Sequence, residues 1–78
     1  MAALDELRAK IDEADAKIVE LLNTRAALVL QVKAAKEKHK LDIYSPNREQ
    51  EIIERVATLA EGGSFPPQSL ERIFREVV

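Results

Sequence analysis

"LDELRAKIDEADAKIVELLNTRAALVLQVKAAK", residues 4 to 36, decides the fold. Apolar side chains fall at Leu4, Leu7, Ile11, Ala14, Ile18, Leu21, Leu28, Val32 and Ala35. Their steps alternate three and four, the repeat of a helix that turns one seam toward another helix. Arg25 takes the seam position between Leu21 and Leu28. No proline or glycine interrupts the run between Ala2 and Lys40, with Asp5 and Glu6 near its start and Lys33, Lys36, Lys38 and Lys40 near its end. Both signs suit the helix dipole where they stand. The pattern predicts one long helix over roughly residues 3 to 39.

Downstream, "HKLDIYSPNRE" breaks the repeat. Ser45 followed by Pro46 fits an N-cap and a first helical position, so a second helix is expected there. Ile52, Ile53, Val56, Leu59 and Ala60 form its expected buried stripe, and Gly62-Gly63 supplies a stop after about four turns. After "SFPP", the spacing of Leu70, Ile73, Phe74, Val77 and Val78 starts a third amphipathic helix, again with a proline suited to its first turn. Two apolar residues close the chain in mid-pattern, so the third helix is expected to be truncated, with residues following Val78. The class is all-α, with one long and two short helices in a single domain over residues 1–78.

A chain of 78 residues buries little of its unfolded surface and needs a further source of stability. It has no cysteine, so neither disulfides nor thiolate metal sites can supply one, and His39 alone cannot build a zinc site. A helix of about 36 residues runs roughly 54 Å, whereas a compact globule of this size has a radius of gyration of about 11 to 12 Å. The seam must therefore be covered by another chain, and an intertwined helical homodimer is expected. Twelve basic against 14 acidic residues give no basic excess, so nucleic acid is not an expected partner. The N-terminus lacks a signal peptide's apolar stretch and no run suits a membrane span, so the expected address is the cytoplasm.

A buried arginine without a partner is costly, so Arg25 must meet either carboxylates of the partner chain or a bound anion. At 100° per residue Lys36 lies only about 20° round the helix from Arg25 and roughly 16 Å along it, so both reach one cavity. Arg8 is rotated by about 100° and lies roughly 25 Å away. It cannot share that cavity in cis, but an antiparallel partner can bring its copy in. Arg48 and Glu49 fall in the first turn of the second helix, where free N–H groups favour an anion; taken alone, the pair reads as ordinary solvated surface. Lys33, Lys38, Lys40 and His39 read as surface, and Tyr44 as packing against the second helix. No nucleophile stands with a base and no glycine-rich phosphate loop is present. An inventory of cations with one carboxylate binds a small polyanion and suits a reaction that needs only orientation and stabilisation of developing charge.

In "LRAKIDEADAKIVELLNTR" with Arg8 and Arg25, "VKAAK" ending at Lys36, "YSPNREQEII" with Arg48 and Glu49, and "LERIFREVV", the whole chain resembles the all-helical chorismate mutases. The likeness is greatest to the mutase domain at the N-terminus of bifunctional chorismate mutase/prephenate dehydratase enzymes. The resemblance implies an intertwined dimer of three-helix chains, without cofactor or metal, that rearranges chorismate to prephenate. It implies that Arg25 and Arg8 bind the two carboxylates, with Arg8 contributed in trans. Lys36 would then donate to the ether oxygen, Glu49 hold the ring hydroxyl and Arg48 complete the polar wall. The family's third-helix glutamine and serine fall beyond Val78, and an acidic residue that some relatives carry before the second helix is Ser45 here. Two other activities fit the same features: an isochorismate pyruvate lyase, and a non-catalytic dimerisation or regulatory module in which Arg25 is merely ion-paired.

Overall fold

The computed structural model describes residues 1–39 and 46–78. They form three helices in order, α1 (Ala2–Lys38), α2 (Pro46–Leu59) and α3 (Pro67–Val77), and no strand occurs among the described residues. Two units are distinguished, Met1–Leu41 and Asp42–Val78. The expectations for Lys40, Tyr44 and the Ser45 cap lie outside the described residues.

The first unit is α1 itself, 37 residues and about 55 Å long. Its ends match the 3–39 expectation to within a residue, because nothing inside interrupts the backbone ladder and the terminal charges suit the dipole. Asp5 N–H donates to Met1 O at 3.0 Å at one end and His39 N–H to Ala35 O at 3.1 Å at the other. Asp5 lies in the first turn, and Lys36 and Lys38 in the last. No residue of α1 is buried. The seam side chains stand open in the single chain, Leu7 at 56%, Ile18 at 55% and Leu21 at 67% exposure.

The second unit is a helical hairpin in which α2 packs on α3. Pro46 opens α2, as its fixed φ and missing N–H favour. Ile52, Ile53, Val56 and Ala60 are buried. Leu59, expected in the same stripe, is instead 74% exposed. On the helical wheel the four buried residues span about 100°, and Leu59 sits about 75° from their mean direction, at the last residue of the helix, where the chain turns away. Gly62 takes φ +81°, the left-handed conformation that ends helices at little cost only for glycine. Gly63 N–H reaches Ala60 O at 3.2 Å across this turn. Pro66 is the N-cap of α3 and Pro67 its first residue. Leu70, Phe74 and Val77 are half-buried, while Ile73, about 65° from their mean direction, is 46% exposed.

Candidate functional site

Two of the expected site residues share one line on α1. Arg25 and Lys36 are both partly shielded, whereas Leu21, Leu22, Leu28, Val29 and Leu30 around them are all exposed. That inverts the usual order, in which charged groups take the solvent and leucines the interior. The helical wheel explains what the position offers. Leu21, Leu28 and Val32 run up one side of the Arg25–Lys36 line. Leu22, Val29, Val19 and Leu30 run up the other, so that the apolar arc spans roughly 200° with the two cations near its middle. A helix whose apolar surface extends that far round is one built to be covered from two sides. The cations therefore lie within that arc, with apolar side chains on either hand.

Arg8 is exposed and stands about 100° round α1 and roughly 25 Å from Arg25. The continuous helix does not bring it to the Arg25–Lys36 line. Beyond the seam, Thr24 Oγ1 donates to Glu20 O at 3.0 Å, so that hydroxyl is turned back onto the backbone.

The other two expected residues open α2. Arg48 is exposed and its Nη1 lies 3.5 Å from Glu51 Oε2, the two side chains being 56% and 66% exposed. Such a long, solvated i,i+3 pair contributes little and leaves the guanidinium able to exchange partners. Glu49, one residue on, is half-buried. With Gln50, Ile53, Arg75 and Val78 it lines a hollow of about 290 Å³. The end of α3 thus lies beside the beginning of α2, which makes the hairpin antiparallel. Gln50 Nε2 donates to Glu54 Oε1 at 3.1 Å, holding that amide along α2.

Arg75 is the residue that the sequence did not single out. Its neighbourhood with Glu49 depends on the register of α3 against α2, to which local spacing is blind; only its place three residues before Val78, on the same side of α3, hints that it faces as Val78 does. Among the described residues no group of three or more histidine, aspartate or glutamate side chains is placed to hold a metal ion. The described ingredients are therefore a shielded pair of cations on α1 and, on the hairpin, a carboxylate beside two arginines. In kind, they suit a small dianion that also carries a hydrogen-bond donor.

Comparison with known proteins agrees with that chemistry. A family model described as chorismate mutase type II matches residues 7–78. A bifunctional chorismate mutase/prephenate dehydratase of Aquifex aeolicus is 42% identical across all of the chain, which corresponds to 22% of that protein. A chorismate mutase of Methanocaldococcus jannaschii is 38% identical over 74% of the chain and 59% of its own length. The chain spans about a fifth of the length of the bifunctional relatives it matches. Among solved structures, a chorismate mutase of Thermus thermophilus superposes with a TM-score of 0.86 at 27% identity, covering 95% of this chain and 91% of that one. No described helix is long and apolar enough to cross a membrane.

Proposed function

The chain belongs to the chorismate mutase type II family, and from that premise we propose that it catalyses the rearrangement of chorismate to prephenate, a step of aromatic amino acid biosynthesis. The observation that carries this reading is the inverted burial on α1, where Arg25 and Lys36 are more shielded than the leucines beside them. Two cations within an apolar arc offer a dianion charged partners in a partly shielded setting, where such pairing counts for more than in open water.

The reaction is intramolecular: the ether C–O bond of chorismate breaks as a new C–C bond forms, and no atom enters or leaves. A catalyst therefore needs neither nucleophile nor base. It must hold the conformer in which the two carbons meet and stabilise negative charge growing on the ether oxygen. Arg25 binds one carboxylate. The partner's Arg8 binds the other, because 25 Å and 100° of helix separate the two arginines within one chain. Lys36 donates to the ether oxygen, its charge worth most in a site from which water is excluded. Glu49 accepts a hydrogen bond from the ring hydroxyl, and Arg48 closes the polar wall. The dimer that this division of labour requires also covers the α1 seam, and both needs are met by the same association.

The test is optical: loss of chorismate absorbance on addition of the purified chain, with prephenate as product. Release of salicylate and pyruvate from isochorismate would assign the lyase activity instead. Turnover of neither compound, by a folded dimer, would leave the non-catalytic module.

A further inference from the structure

The hollow between the beginning of α2 and the end of α3 has a floor of Ile53 and Val78 and a polar rim of Glu49, Gln50 and Arg75. Gln50 is turned onto Glu54 at 3.1 Å, which leaves Glu49 and Arg75 as the two charged groups that the rim presents. They come from opposite helices and are not within ion-pairing distance of each other, so each is available to a third group entering the hollow. Glu49 is half-buried and Arg75 exposed. The two thus line one hollow from opposite helices, the carboxylate the more enclosed of the pair.

We infer that Arg75 is a positioning residue for Glu49. Its guanidinium, set across the hollow, keeps the carboxylate aimed as an acceptor, and so tightens the hold on the substrate hydroxyl. This rests on the reading of Glu49 given above. The hydroxyl takes no part in the bonds that change, so its hydrogen bond to Glu49 is of similar strength in the bound substrate and in the transition state. Interactions of that kind appear in KM and leave kcat nearly untouched. Arg75 therefore carries a different kinetic signature from Lys36, whose hydrogen bond strengthens as the ether breaks.

The experiment is a double-mutant cycle on the full chain with chorismate, using Arg75→Gln, Glu49→Gln and the pair. Arg75→Gln alone should raise KM by about 5- to 10-fold, the size of a weakened charge-assisted hydrogen bond, with kcat within about two-fold. Arg75→Lys, which keeps the charge but loses the planar fork, should recover part of the loss. Introduced into the Glu49→Gln chain, Arg75→Gln should change KM by less than about two-fold, because the group through which it acts has gone. Equal effects of Arg75→Gln with and without Glu49 would overturn the inference, as would an unchanged KM in an active chain, and in both cases the mutase reading stands. A folded wild-type chain without turnover of chorismate removes the mutase reading and this inference together. Unchanged thermal unfolding of the Arg75 variants, expected for an exposed side chain, separates a positioning role from a structural one.

Discussion

If Arg8 and Arg25 of one chain serve different sites, two inactive variants should restore each other. The perturbation is to mix Arg8→Ala chains with Arg25→Ala chains under conditions in which dimers exchange. The expected magnitude follows from α1, which is continuous from Ala2 to Lys38. Seventeen residues separate the arginines, giving roughly 25 Å along the axis and a rotation of about 100°. An extended arginine side chain spans only about 7 Å, so the two cannot grip one small dianion in cis. Each site then takes Arg25 from one chain and Arg8 from the other. A heterodimer has one site with both arginines and one with neither. Random exchange makes about half of the dimers mixed, each with one good site of two, so activity should climb to about a quarter of that of the wild type, by the reciprocity of a two-fold interface. The assay is chorismate loss before and after exchange, with heterodimer formation verified by native mass spectrometry on chains of distinct mass. No recovery above the mean of the two parents, despite verified exchange, would refute the antiparallel arrangement and place both arginines in one chain's site.

Replacing Lys36 by alanine should lower kcat by about 100-fold or more, the effect of removing one donor to a developing oxyanion; chorismate turnover at unchanged helicity measures it, and an unaltered kcat would remove Lys36 from the mechanism. Ile53→Ala should cost about 2 to 4 kcal/mol of stability, since Ile53 is only 6% exposed and its truncation opens a cavity, whereas Leu59→Ala should cost less than about 0.5 kcal/mol if Leu59 stays as open in solution as it is in the single chain. Denaturant unfolding compares the two, and a large Leu59 effect would show that this side chain is covered by another chain. Gly62→Ala should destabilise by about 1 to 2 kcal/mol through the left-handed backbone alone, because nothing lies within 4 Å of the added methyl; the same unfolding curves test it.

The parts of this fold that sequence reveals are those written in short-range spacing. The alternating three and four of Leu4 through Ala35 specify α1 because a helix is a local structure, and Pro46, Gly62 and Pro67 punctuate the hairpin through their own backbone preferences. Arg25 and Lys36 were legible for the same reason, their angle being fixed by the helix that carries both. Leu59 was misread because a wheel position says only which way a side chain points, and whether anything stands there depends on where α3 begins. Arg75 was missed for the corresponding reason: 26 residues separate it from Glu49, and their meeting at one hollow is a property of the α2–α3 register. The role proposed for Arg8 goes further still, since it depends on a second chain.

The burial pattern also bears on why the proposed binding cations sit on α1 rather than on the hairpin. The buried apolar core of the described residues consists of four side chains, all contributed by α2 and the turn after it. A core so small supports little beyond its own two helices. Helix α1 contributes no buried residue, and most of its stability must come from what covers it, because helices hold in proteins chiefly through packing. On the reading proposed above, the two cations in its apolar arc are desolvated as that packing forms, which is costly for charged groups. A bound dianion would offset part of that cost by adding opposite charge beside them. On that reading, closure of the seam, association of the chains and filling of the site are coupled through the same two side chains, and substrate would stabilise the assembled state in proportion to its affinity. Desolvation of Arg25 and Lys36 and exclusion of water from the ether oxygen, where Lys36 is proposed to act, are on that reading one event.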